Sequence, residues 1–176
     1  PLWCELIGNG EKTIEVRKNR PKLKTPFKVF IYCTKAKTDG EYLWTAKSTT
    51  IGKMADVANG KVIGEFICDK VIEELPNPIY EKLLNGSCLD NDTLINYGKF
   101  GILYGWHISN LKLYDVLKDL KEFYKECKGG CGNVCKHWRY IRVNADEYDM
   151  DCDCDGLIPI TKPPQSWCYV EYYGAK

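Results

Sequence analysis

Gly8-Asn-Gly-Glu-Lys-Thr-Ile-Glu-Val-Arg-Lys18 places a glycine turn ahead of Lys12, Glu15 and Arg17 within eleven residues. Read as a strand, Thr13 to Arg17 sends Thr13, Glu15 and Arg17 to one face and Ile14 and Val16 to the other, because side chains alternate along an extended backbone. Two apolar side chains then meet a core, while a carboxylate and a guanidinium share the opposite side within reach of Lys12 at the mouth of the turn. A Lys-Glu-Arg cluster at the base of a barrel suits a polar, partly anionic ligand such as a nucleotide. Spacing alone also describes a solvated strand face with one surface ion pair, which contributes little to stability.

Working outward, Leu2, Trp3, Leu6 and Ile7 recur with helical spacing, and Gly8-Asn-Gly10 supplies the C-cap and turn. Strands are predicted at about 12–17 and 28–34, on either side of a loop over 21–27 that holds Pro21 and Pro26. Residues 36–60 are polar and glycine-punctuated apart from Tyr42, Leu43 and Trp44, and read as a hairpin arm or a flap. A long strand follows from Gly60 to Val71, bent at Gly64 and closed off by Pro76 and Pro78. Residues 79–97 read as helix and loop and 101–114 as one or two strands. Leu117, Leu120 and Phe123 mark an amphipathic helix, and Ser166 to Tyr172 the closing strand. Many strands, few helices and no βαβ repetition predict an α+β fold, a small mixed β-barrel with flanking short helices.

The 176 residues suffice for one domain with a real core and are short for two, so a single domain over 1–176 is expected. Hydrophobic residues make up 44% and charged residues 28%, the balance of an ordinary globule, and the net charge of +1 provides no global field for nucleic acid. The charge is uneven, however. Seven basic residues lie between Lys12 and Lys28 against the single acid Glu15, and six acids with no base lie between Asp146 and Asp155. The first run is either a local basic face or a solvated loop. No apolar run approaches the roughly 18 residues of a membrane helix, and nothing reads as a signal peptide. No membrane partner is therefore expected, and a cytoplasmic, reducing location is.

Three further segments join the first: Lys61-Val-Ile-Gly-Glu-Phe66, Tyr104-Gly-Trp-His-Ile-Ser109 and Pro163-Pro-Gln-Ser-Trp-Cys-Tyr-Val-Glu171. With the G-x-K-T-x-E-x-R run of residues 10–17 they resemble the ASCH domain family, a branch of the PUA-like β-barrels, and in particular the short ASCH proteins of Gram-positive bacteria and their phages. The match covers roughly 1–126 and 158–172 in the family's order, and four segments in order are more specific than any one of them. ASCH relatives carry a short strand ending in Ile-Lys-Pro just before the position of Pro1. The resemblance thus implies one more barrel strand, and a further pocket lysine, upstream.

What the resemblance implies about function falls into two classes. As a binding module, an ASCH domain would hold RNA or a nucleotide beside the motif. Lys12 and Arg17 would meet phosphate or a base edge, and Glu15 would accept from an exocyclic amine or hold Arg17 in place. Thr13, Glu65, His107, Ser109, Trp106 and Trp167 complete the expected ligand-binding set, with Tyr104 and Trp44 as further stacking surfaces. Core packing is the alternative for each aromatic. As an enzyme, the chain would resemble the ASCH branch that removes the acetyl group from N4-acetylcytidine with a lysine, a threonine and a glutamate. Lys12 matches that lysine, Glu15 stands where the threonine is expected, and Thr13 is on the motif but out of register. Glu65 and Glu73 are both candidates for the glutamate. Lys12 and Glu15 would then be the catalytic pair of a small amidohydrolase, activating water or stabilising an oxyanion, and a ribonuclease using the same cleft is a further reading. His107 is a base near neutrality or a structural residue of an apolar strand. No Ser-His-Asp order, glycine-rich phosphate loop or H-E-x-x-H helix occurs, and no organic cofactor is implied.

Ten cysteines are many for this length. Cys4, Cys33, Cys68, Cys88 and Cys168 are scattered, and three of them fall inside apolar segments and read as small buried hydrophobes. The other five, Cys127, Cys131, Cys135, Cys152 and Cys154, crowd into an insert over 127–157 that interrupts the family pattern before the last strand. Its glycines predict a loop, and so polar a segment needs a staple to order itself. Structural zinc held by four of these cysteines is the favoured reading, with reduced thiols or disulfides as alternatives and His137 as a substitute ligand. Asp151-Cys-Asp-Cys-Asp-Gly156 imitates the front of a calcium loop, but Lys162 stands where the closing glutamate belongs, which excludes an EF-hand.

Overall fold

The computed structural model describes residues 2–35, 58–127, 138–142, 148–152 and 156–172. They divide into two compact units, 1–117 and 118–176, and the boundary falls inside one long strand.

The first unit begins with helix α1 (Leu2–Gly8), whose Cys4 and Ile7 are buried. A turn leads into β1 (Ile14–Arg17), and a proline-bearing loop into β2 (Phe27–Tyr32). Strand β3 (Lys61–Glu74), the short helices α2 (Glu81–Ser87) and α3 (Asn91–Gly98), and strand β4 (Leu103–Asp119) follow. The four strands form one sheet in the order β1-β4-β3-β2. Strand β1 is antiparallel to β4, with Ile14 opposite His107 and Arg17 opposite Tyr104, and β2 is antiparallel to β3. Between β3 and β4, His107 meets Asp69, Ser109 meets Ile67, and Gly64 lies against Lys112 and Leu113. These contacts run in opposite senses along the two strands, so this pair is antiparallel as well. The architecture is α+β. Among the described residues β1 and β2 are the sheet's two edges, so this sheet is open.

Alternation along β1 sorts its residues as the sequence pattern predicts. Ile14 and Val16 are buried, and Glu15 and Arg17 are half-buried on the other side. The apolar pair joins Leu103, Tyr80, Leu83 and Leu94 in a core where α2 and α3 pack. Gly105 permits this packing: a Cβ there would lie 2.5 Å from Leu83 and 2.8 Å from Ile14. The Glu74 carboxylate accepts from the Lys82 and Leu83 amides at 2.9 and 3.0 Å, satisfying donors at the start of α2. Asp90 caps α3 by accepting from the Thr93 amide. On the opposite face of the sheet, Trp106 packs edge-on against Phe27, with ring centroids 5.5 Å apart.

In the second unit, a 3₁₀ turn (Leu120–Glu122) leads into β5 (Phe123–Glu126). Strands β6 (Trp138–Arg142) and β7 (Tyr148–Cys152) form an antiparallel hairpin. Strands β8 (Leu157–Pro159) and β9 (Glu171–Tyr172) flank β5 in a second sheet, β8-β5-β9. Phe123 is buried and stacks on Tyr172 at 4.8 Å. The amphipathic helix expected around Leu117, Leu120 and Phe123 is therefore absent. Its i, i+3 spacing is met by the tail of β4 and a 3₁₀ turn, whose period is three, and the segment then pairs with strands distant in sequence. The closing strand is likewise shorter than expected, with 161–170 irregular. The insert, expected to be loop, contains the β6–β7 hairpin. Trp138, Tyr140 and Ile141 are aromatic and β-branched residues suited to a strand. No helix among the described residues is long and apolar enough to cross a membrane.

Candidate functional site: a buried lysine joined to a surface ion pair

The site grows out of the turn after α1. Gly10 adopts φ +83°, a left-handed conformation that glycine takes without steric cost, and the chain folds back so that the Lys12 amide donates to the Leu6 carbonyl at 2.8 Å. A second turn, at the end of α2, receives it. The helix breaks at Asn85, and Gly86 has φ +96°. The Gly86 carbonyl accepts from the Thr13 amide at 2.8 Å, and the next carbonyl, that of Ser87, accepts from Lys12 Nζ at 2.7 Å. A Cβ on Gly86 would lie 2.2 Å from Thr13 Oγ1, so the two turns meet only because residue 86 is glycine.

Lys12 is only 3% exposed. Its ammonium is 3.5 Å from Glu15 Oε2 and lies over the Trp3 ring, 5.0 Å from the centroid. The other Glu15 oxygen, Oε1, is 2.8 Å from Arg17 Nη2. One carboxylate thus bridges two cations, leaving the array with a net positive charge. Burial pulls the Lys12 pKa below its ordinary 10.5, and the neighbouring Glu15 opposes that shift. The array moves from buried to accessible along its length: Lys12 inside, Glu15 and Arg17 half-buried, and Trp3 44% exposed.

The β1–β4 register decides which other expected residues belong here. Glu15 stands opposite Trp106 and Arg17 opposite Tyr104, so these four share a face. Trp106 is itself buried against Phe27. His107 stands opposite Ile14 and therefore lies on the other face, with Ser109 two residues on. There His107 Nδ1 is 2.7 Å from Asp69 Oδ1, and Ser109 Oγ donates to the Ile67 carbonyl at 2.8 Å. The hydrogen bond from His107 holds the exposed Asp69 carboxyl below the usual range. Glu65 accepts from the Tyr114 hydroxyl and pairs with Lys28 at 3.1 Å. Burial pushes its carboxyl pKa up, but Tyr114 and Lys28 together bring it below the usual value. Glu73 pairs with Arg20 at 3.3 Å on the surface. Thr13 is exposed beside Gly86.

Trp167 belongs to the second unit, where it packs edge-on to Tyr169 at 5.1 Å. Cys127 is buried there, with its amide donating to the Gly156 carbonyl. Cys131, Cys135, Cys154, His137 and Trp44 lie outside the described residues, and Cys152 is described as backbone alone. Cys4, Cys33 and Cys68 are buried thiols as expected, whereas Cys88 is exposed at the left-handed residue that ends α2.

Ser87, Gly86 and Trp3 are the members of the site that the sequence reading did not assign to it. Asn85-Gly86 is a recognisable helix-ending pair, but a backbone carbonyl such as that of Ser87 has no side-chain signature at all. Trp3 carries the signal of a core aromatic, and only its exposure beside Lys12 distinguishes it. No family model matches this chain, and no curated protein matches it in sequence.

Proposed function

We propose that this protein is an ASCH-type, PUA-like domain that binds RNA or a nucleotide through the Lys12–Glu15–Arg17 array. The observation that carries this reading is the buried Lys12 ammonium, held between the Ser87 carbonyl and Glu15. Burying a charge costs several kcal/mol before its partners compensate, on the order of magnitude known for ions in protein interiors. A preorganised array of fixed charge reaching the surface beside an exposed indole is what recognition of a polar, stackable ligand requires. Glu15 accepts from an exocyclic amine, Arg17 donates to a base edge, and Trp3 offers a stacking face. Lys12 acts through Glu15 as a positioning residue, because its own donors face inward.

The test is a calorimetric titration of wild type and Glu15→Gln with nucleoside monophosphates, N4-acylated cytidines and short single-stranded RNAs. Glu15→Gln is expected to weaken binding by about tenfold or more, the scale of one charge-assisted hydrogen bond, while its denaturation midpoint shifts little. Unchanged binding in this variant, or loss of binding only in step with loss of folding, overturns the reading.

A second reading draws on the 3.5 Å contact between Lys12 and the more accessible Glu15, together with the burial that lowers the lysine pKa: an amidohydrolase of N4-acylcytidine-type nucleosides, in which Glu15 activates water and Lys12 acts behind it. Product detected by mass spectrometry in the wild type and absent in Lys12→Met would support it; binding without turnover would exclude it. A zinc-stapled insert remains part of the proposal for the second unit, tested by metal analysis of the purified protein and of Cys127→Ser.

A further inference from the structure

Neither Lys12 nor Arg17 is placed to neutralise a phosphate chain, since one is buried under Trp3 and both are engaged by Glu15. Positive charge is nevertheless concentrated immediately downstream. Between residues 18 and 28 there are five cations, Lys18, Arg20, Lys22, Lys24 and Lys28, and no acid. The loop 20–25 and Val71 of β3 enclose a groove of about 350 Å³. The groove does not include Lys12, Glu15 or Arg17, although Arg20 follows Arg17 by only three residues. Three of its lining side chains, Arg20, Lys22 and Lys24, are cationic and exposed. Arg20 pairs with Glu73 at 3.3 Å, and this pair is exposed on both sides, so a phosphate can displace it at small cost.

We infer that the groove of loop 20–25 is a phosphate track, and that the ligand of this protein is a single-stranded oligonucleotide rather than a free nucleotide. The inference rests on the nucleotide-binding reading of the Lys12–Glu15–Arg17 array. The array reads one base, and the groove takes the phosphates that adjoin it. A protein with a net charge of only +1 owes any salt-dependent attraction to such a local cluster, so the contribution of the groove can be isolated experimentally. An extended acidic peptide meets the same charge but makes no use of the base-reading array, whose Arg17 precedes Arg20 by three residues, and is therefore the less favoured partner.

The experiment measures binding of a labelled single-stranded RNA of about eight nucleotides, within the span of known single-strand sites, and of a nucleoside monophosphate. Wild type, the triple variant Arg20→Gln/Lys22→Gln/Lys24→Gln, and Glu15→Gln are compared across salt concentrations of about 50 to 200 mM. All three replaced side chains are exposed, and a denaturant melt verifies that the variant folds. The triple variant is expected to lower the slope of log K against log salt for the oligonucleotide by about 2, from three lost phosphate contacts, and to leave monophosphate binding unchanged. Glu15→Gln is expected to weaken both ligands without altering the slope. An oligonucleotide slope that is the same in the triple variant and wild type overturns the phosphate track while leaving the array's reading intact. Equal displacement of the RNA by polyglutamate also overturns it and assigns the groove to acidic peptides. Binding of neither RNA nor monophosphate by the wild type sinks the nucleotide reading and this inference with it.

Discussion

The two faces of the four-stranded sheet both carry ion pairs but deploy them differently. On one face, Glu15 joins the 3%-exposed Lys12 to Arg17, and the lysine is anchored on a backbone carbonyl. On the other, His107 and Asp69 form a pair that is 42% and 47% exposed, and Lys28 and Glu65 form another near the surface. An exposed pair such as His107–Asp69 contributes roughly 0–1 kcal/mol and is screened by salt. A buried cation cannot be left to solvent, so everything that touches it must be placed in advance. The contrast shows where this protein has committed structure to holding charge, and it is on the face that carries Glu15.

Replacing the buried lysine tests that contrast directly. Lys12→Met leaves the Ser87 carbonyl without its donor and Glu15 with Arg17 alone, and is expected to cost about 3 kcal/mol, toward the lower end of what breaking a buried pair costs. Urea melts with an unchanged m-value measure it, and a loss under about 0.5 kcal/mol would place Lys12 among the ordinary surface pairs. The pH dependence sharpens the point. The Lys12 pKa is lowered in the folded protein, so between that value and 10.5 the unfolded chain binds more protons and stability rises with pH. Wild type should therefore gain on Lys12→Met as pH climbs through that window; the opposite trend would mean that Glu15 outweighs burial.

Gly86→Ala should rank next, at about 2 kcal/mol, from the left-handed backbone and the displaced Thr13 hydroxyl together. It should also weaken ligand binding, because Gly86 and Ser87 supply the two carbonyls that hold Thr13 and Lys12. Intact binding would show that the array forms without this turn. Glu15→Gln should cost about 1 kcal/mol of stability, because the amide oxygen of Gln still accepts from the buried Lys12 ammonium while the charge is lost, and yet lose ligand. Smallest of all, Asp69→Asn is expected to shift the melt by no more than about 0.5 kcal/mol, the usual range for surface substitutions. If it instead abolished ligand binding, the functional face of the sheet would be the one carrying His107.

Much of the first unit is legible in local pattern. The strand at 14–17, the glycine turn before it, the long strand ended by Pro76, and the helices between Pro78 and Gly98 all follow from alternation, capping and breakers acting over a few residues. Pattern and structure part where distant segments decide. Leu117, Leu120 and Phe123 satisfy a helical spacing and a 3₁₀ turn equally well, and the choice was made by β8 and β9, which pair with β5 from 30 or more residues away. His107 and Ser109 adjoin Trp106 in sequence, and adjacency alone places all three in one cluster. Yet in a strand neighbours point to opposite faces, and the register with β1 decides which face each takes.

That Glu15 and Arg17 share a side while Ile14 and Val16 take the other follows from residue order alone, because that alternation is a property of the extended backbone and needs no partner. The place of Lys12 depends instead on contacts made across the fold. Its ammonium ends on the Ser87 carbonyl, 75 residues along the chain, beside a glycine whose absent side chain makes the approach possible. A backbone oxygen is identical at every residue, so no pattern of side chains announces it, and only folding brings it within reach of the lysine.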